Sequence, residues 1–119
     1  MILNGARIVV GVTGGIAAYK AVDLCSKLVQ AGSQVQVVMT QAASHFVTPL
    51  TFQTITQQPV SMDLFQLLRD TDMAHISLSA WAQALVIAPA TANTIAKLAH
   101  GIADNLLTST ALACPAPLI

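Results

Sequence analysis

Residues 7–40 carry the pattern that most restricts what this chain can become: a β-branched run, a glycine pair, an amphipathic stretch, a glycine, and a second β-branched run. Arg7 to Thr13, with Ile8-Val9-Val10-Gly11-Val12 at its centre, reads as a strand that Gly14-Gly15 ends. From Ile16 to Ala31 the residues Ala18, Ala21, Val22, Cys25, Leu28 and Val29 recur at steps of three and four. Lys20, Asp23, Lys27 and Gln30 fall between them, so one face of a helix is apolar and Gly32 supplies its stop. Ser33 to Thr40 is the second strand, continuously apolar in its later half, as a strand covered on both faces would be. A strand, a crossover helix and a strand make a right-handed unit with parallel neighbouring strands, which opens a doubly wound α/β sheet.

The alternation continues less regularly. Ala42 to Phe46 and Pro49 to Thr56 read as short helices, the second entered through proline in its first turn. Val60 to Met62 reads as a short strand and Phe65 to Asp72 as a surface loop. Ala84 to Ala88 is a buried strand, followed by helices from Thr91 to about Ala99 and from Asp104 to Ala113. Leu118-Ile119 looks like the start of another strand, so residues 1–119 are expected to form one domain with an unfinished sheet.

Composition narrows the partners. The net charge is zero and the five basic residues, Arg7, Lys20, Lys27, Arg69 and Lys97, are scattered, so no basic face is offered to nucleic acid or anionic lipid. No stretch approaches the roughly 18 uninterrupted apolar residues of a spanning helix, and the N-terminal apolar run is too short for a signal peptide. A cytoplasmic, non-membrane protein is expected. Charged residues make up 8% of the chain, against roughly 25% in ordinary soluble domains. So few charges point to apolar faces covered by sister subunits. Cys25 and Cys114 have neither disulfide-framework nor metal-ligand spacing and read as core thiols; no metal site is expected.

Ligands of open α/β sheets bind beyond the carboxyl ends of the strands. Three loops lie there by this reading: Thr13 to Ile16, Thr40 to Ala42, and Pro89 to Thr94. Gly14-Gly15 at a helix start suits an anion cradle of backbone N–H groups, and equally a tight turn without a ligand. The spacing matches neither a P-loop nor G-x-G-x-x-G, which favours a mononucleotide over a dinucleotide. Thr91, Asn93 and Thr94 offer hydroxyl and amide groups, which helix capping alone would also explain. Histidine can take or give a proton near neutral pH, which makes His75 a candidate, but on pattern alone a structural or surface residue is the readier reading. Phe52 reads as core, or as an aromatic able to flank a planar ligand.

Three ordered segments carry a resemblance: Gly14-Gly15-Ile16-Ala17-Ala18-Tyr19-Lys20, then His75-Ile76-x-Leu78, then Ala88-Pro89-Ala90-Thr91-Ala92-Asn93-Thr94-Ile95-Ala96-Lys97 with Gly101-Ile102-Ala103-Asp104-Asn105-Leu106-Leu107-Thr108. Together they resemble the homo-oligomeric flavin-containing cysteine decarboxylases, over nearly the whole chain. The resemblance implies a flavodoxin-like, Rossmann-like three-layer fold with a parallel sheet, truncated before its last strands, and assembly as a homotrimer or higher oligomer. It implies FMN held by Gly14, Gly15, Ile16, Thr40, Thr91, Ala92, Asn93 and Thr94, with Phe52 beside the isoalloxazine ring and His75 as the catalytic histidine.

The activity implied is decarboxylation of 4'-phosphopantothenoylcysteine to 4'-phosphopantetheine in coenzyme A synthesis, as part of a longer and in many relatives bifunctional chain. The substrate thiolate would give a hydride to the flavin. The resulting thioaldehyde would let carbon dioxide leave, with the bonding electrons delocalised as an enethiolate. A Pro-Ala-Met-Asn motif and a later cysteine are expected beyond Ile119, so this chain alone is not expected to complete catalysis. The other readings are a peptidyl-cysteine decarboxylase, a flavin prenyltransferase, or a non-catalytic flavin-binding subunit.

Overall fold

Pleating divides the residues of the first strand between two cores. In β1, Arg7–Val12, the side chains of Ile8, Val10 and Val12 enter one apolar cluster, while Val9 enters another on the opposite face. In β2, Gln34–Met39, the residues Val35, Val37 and Met39 join the first cluster and Val38 joins the second. A sheet covered on both faces must read as a near-continuous apolar run, which these strands do. The computed structural model describes residues 3–62 and 74–119, the side chains of 74–76 excepted.

Helix α1, Ala18–Gln30, lays Ala18, Ala21 and Cys25 on the first face, with the short 3-10 helix Ala42–His45 and α2, Pro49–Thr56, adding Ala43 and Phe52 to the same cluster. The second face is covered by α3, Ala74–Trp81, through Leu78, and by α5, Leu106–Ala113, through Leu106 and Leu107. Gly11 lets α5 sit close to β1, because a Cβ there would push aside the end of the Leu107 side chain. Helix α4, Ala92–His100, packs against α5.

The strands are parallel in the order β2-β1-β3, with β3 formed by Ala84–Ile87. After β2 the chain returns past β1 and adds β3 on the other side. With right-handed crossovers, this reversal of direction moves the covering helices to the opposite face. That is why α1 and α2 share one layer while α3 and α5 share the other. One further pairing begins on each flank, Ser61 with Val38 and Leu118 with Leu85, both parallel. The short strand read at Val60 to Met62 and the strand start read at Leu118-Ile119 are therefore present as single bridges.

Several ends differ from the sequence reading. Thr13 leaves the strand because its N–H turns to the Pro89 carbonyl, 3.4 Å away. The helix read from Asp104 starts at Leu106 because Asn105 caps it, with Thr108 completing a reciprocal capping box. Helix α3 has no counterpart in the sequence reading. The loop read at Phe65 to Asp72 lies outside the described residues. Among the described residues, no helix is long and apolar enough to cross a membrane.

Candidate ligand-binding site

All three strands run the same way, so the loops that leave β1, β2 and β3 emerge at one end of the sheet. The chain reverses its direction of growth between β1 and β3, which makes that junction the topological switch point where open α/β sheets leave a crevice. Thr13 spans it. Its hydroxyl donates a short hydrogen bond to the Pro89 carbonyl and accepts one from the Thr91 N–H at 3.0 Å. The Ala88–Pro89 peptide in the facing loop is cis.

On the β1 side, Gly14 touches the segment that follows β2. A Cβ on Gly14 would stand 2.5 Å from the Ala42 Cβ and 2.8 Å from the Ala42 carbonyl carbon, so only glycine fits without moving backbone. A Cβ on Gly15 would instead meet the Thr91 methyl at an ordinary 3.9 Å, so Gly15 faces Thr91 across the junction. The capping residue of α1, Ala17, gives no side-chain hydrogen bond; the Gly15 N–H turns to the Thr13 carbonyl at 3.1 Å, and the Ala18 and Lys20 N–H groups to the Gly15 and Ala17 carbonyls at 2.9 Å. Ile16 stands 81% exposed beside them.

On the β3 side, Thr91 is the N-cap of α4, and its Oγ1 accepts from the Thr94 N–H at 3.2 Å. Thr94 is buried with its hydroxyl 3.2 Å from that of Thr91, whereas Ala92 and Asn93 are exposed at the first turn, ahead of the intrahelical ladder. The structure therefore brings Gly14, Gly15, Thr91, Ala92, Asn93 and Thr94 to one junction, with Ile16 at its rim. Thr40 belongs to the neighbouring loop, and its hydroxyl is already committed. It accepts from the Ala43 N–H at 3.2 Å and lies 3.5 Å from the Val12 carbonyl.

Phe52 does not face this end as an open ring. It is 0% exposed and enclosed by the cluster containing Val10, Val12, Ala21 and Ala43, a burial that contributes roughly 1.5–3 kcal/mol. A planar ligand could reach it only by displacing core side chains. The exposed aromatic near the β2 loop is Phe46, at the end of the 3-10 helix and 52% exposed. Sequence reasoning missed it because a Phe at a helix end carries no periodicity signal. It also missed the clamp made by Thr13, whose only signal was a hydroxyl closing an otherwise apolar strand.

His75 lies in α3, and its side chain is outside the described residues. Lys97 pairs with Asp104 at 3.1 Å and pins the turn between α4 and α5. Burial pushes the Cys25 thiol up to about 12, which keeps it protonated and unreactive.

The profile of the Flavoprotein family matches residues 2–118. The chain is 50% identical over 116 residues to the coenzyme A biosynthesis bifunctional protein CoaBC of Bacillus subtilis (strain 168), covering 98% of this chain and 29% of that protein. It is 46% identical over 118 residues to the protein of the same name from Escherichia coli (strain K12), covering 99% and 29%. The chain thus spans less than a third of the length of the curated relatives it matches. Among solved structures, the FMN-dependent cysteine decarboxylase SpaF superposes with a TM-score of 0.89 at 37% identity, covering 98% of this chain and 67% of that one. A PPC decarboxylase variant complexed with pantothenoylaminoethenethiol gives a TM-score of 0.86 at 31% identity, covering 97% and 65%.

Proposed function

Since the chain belongs to the Flavoprotein family, we propose that it is the flavin-holding part of an FMN-dependent decarboxylase that converts 4'-phosphopantothenoylcysteine to 4'-phosphopantetheine in coenzyme A synthesis. The observation that carries this reading is the junction itself, where a tight glycine turn faces an N-capped helix across Thr13. FMN supplies what side chains lack, an acceptor for a hydride that makes the neighbouring carboxylate a good leaving group as carbon dioxide.

The residues present fit that cofactor. The Gly15 N–H is taken by the Thr13 carbonyl at 3.1 Å, so Gly15 shapes the turn while Gly14 and Ile16 offer its backbone N–H groups; Ala92 and Asn93 offer the exposed first turn of α4, where an anionic phosphate would meet oriented amides and the positive ends of helix dipoles. Among the described residues, Lys20 is exposed on α1 and Lys97 is engaged with Asp104, so amides rather than a fixed cation carry the binding. Thr40 sets the spacing of the second loop. We assign the ring contact to Phe46 in place of Phe52, because Phe46 has an open face. His75 handles protons during the reaction, as the family resemblance implies.

The proposed substrate is a small molecule, and the scattered basic residues of the neutral chain offer no basic face to nucleic acid. Ile16, Tyr19 and Leu50 on the α1 and α2 side, and Ile95 and Ile102 on the α4 side, are exposed apolar groups that a homotrimer would cover. We place the enzyme in the cytoplasm, as one portion of a longer bifunctional polypeptide.

The test is to purify the protein, record its visible absorbance and supply phosphopantothenoylcysteine or a peptide ending in cysteine. The reading predicts bound flavin and carbon dioxide from the small substrate when the polypeptide extends through the remaining catalytic residues. Carbon dioxide from the peptide alone would move the assignment to a peptidyl-cysteine decarboxylase. His75→Asn should abolish carbon dioxide release while retaining the flavin spectrum.

A further inference from the structure

We infer that Thr13 is a positioning residue of this site: its hydroxyl clamps the β3–α4 loop to the end of β1 and thereby sets where the N-terminus of α4 meets the ligand. The inference rests on the flavin-binding reading and adds to it a residue that contacts the protein rather than the cofactor.

The hydroxyl of Thr13 is used in both senses. It donates to the Pro89 carbonyl and accepts from the Thr91 N–H at 3.0 Å, and the Thr13 N–H donates to the same Pro89 carbonyl at 3.4 Å. One side chain therefore holds both ends of Pro89-Ala90-Thr91, and it does so at 1% exposure, where no water can take its place. From Thr91 the connection runs into the helix, because Thr91 Oγ1 accepts from the Thr94 N–H and the Thr91 carbonyl accepts from the Ile95 N–H at 2.9 Å.

Helix α4 depends on this hold because, beyond its packing on α5 and the Lys97–Asp104 pair at its far end, it buries little. Thr94 is its one buried residue, so the helix is located more by its cap and the clamp than by apolar packing. Thr91 also forms the wall opposite Gly15. A displaced Thr91 would move both the wall of the crevice and the amides at the head of α4.

Serine at position 13 keeps the hydroxyl, whereas valine keeps the shape and removes donor and acceptor together. Thr13→Val is expected to weaken FMN binding to the apoprotein at least about tenfold, read by quenching of flavin fluorescence, and Thr13→Ser to stay within about threefold. In the same samples, hydrogen exchange of the Thr91 amide should accelerate in the valine variant only. FMN binding by Thr13→Val within twofold of the parent would overturn the inference, as would equal loss in serine and valine, since shape would then matter rather than the hydroxyl.

A valine variant that does not fold leaves a test on the unaltered apoprotein, in which the Thr91 amide must exchange more slowly than those of Ala92 and Asn93. Equal exchange would overturn the clamp. Failure of the parent protein to bind FMN would instead overturn the functional reading, and the exchange data would still judge the clamp.

Discussion

Helices α1 and α4 enter the same crevice from neighbouring strands, yet they are held by opposite means. The first buries Ala18, Ala21 and Cys25 against the sheet and begins at Ala17, which gives no side-chain cap. The second buries Thr94 and begins at a fully used threonine cap, while Ile95 stays 54% exposed. A helix anchored by its apolar face can leave its N-terminal amides for a ligand. A helix anchored by its cap needs that cap, and the residue holding it, to stay in place. The site thus combines one wall fixed by packing with one wall fixed by hydrogen bonds, and the two should fail differently.

The largest effect is expected on the packed wall. Gly14→Val brings a Cβ within 2.5 Å of the Ala42 side chain and 2.8 Å of its backbone. The glycine turn and the segment after β2 must then separate, at about 1–3 kcal/mol of overpacking. Thermal unfolding should show the lower stability and a flavin titration the loss of binding. Unchanged flavin affinity would mean that the packed wall is not part of the site.

Next comes the capped wall. Thr91→Ala removes the acceptor for the Thr94 N–H and should cost about 1 kcal/mol. Its signature is local: amides of α4 exchange faster while those of α1 keep their protection. Equal acceleration in both helices would erase the contrast between them.

The effect that vanishes at neutral pH concerns the packed helix alone. The Cys25 thiol is raised from 9.0 to about 12 by desolvation. An acid whose folded pKa lies above its unfolded value contributes its full stability below the unfolded pKa. Stability should therefore hold level up to about pH 9 and decline between 9 and 12 as the unfolded chain releases the proton first. Cys25→Ala should flatten that decline, and native Cys25 should resist alkylation at neutral pH.

What the sequence made legible follows from periodicity. The strands and α1 were readable because burial on two faces, or on one helical stripe, leaves a repeat of two or of 3.6. Helix α2 matched residue for residue at Pro49–Thr56, where proline marks the start. Helix α3 was missed because Ile76-Ser77-Leu78-Ser79 alternates apolar and polar residues and imitates a strand. The glycine turn and the threonine cap were visible as residue types, and tertiary structure alone joined them, since Thr13 and Thr91 are 78 residues apart. Phe52 illustrates the other limit: sequence marks an aromatic near a loop but not whether its ring turns inward, as this one does.

The central claim is that FMN binds where β1 and β3 part, between the glycine turn and the head of α4. Amide chemical shifts followed during titration of the apoprotein with FMN test it most directly. Gly14, Gly15, Ile16, Ala92 and Asn93 should shift together and saturably, while Ser33 and Gln83, at the other end of the sheet, stay still. Shifts confined to the Ser33 and Gln83 end, or no saturable shift in folded protein, would contradict it.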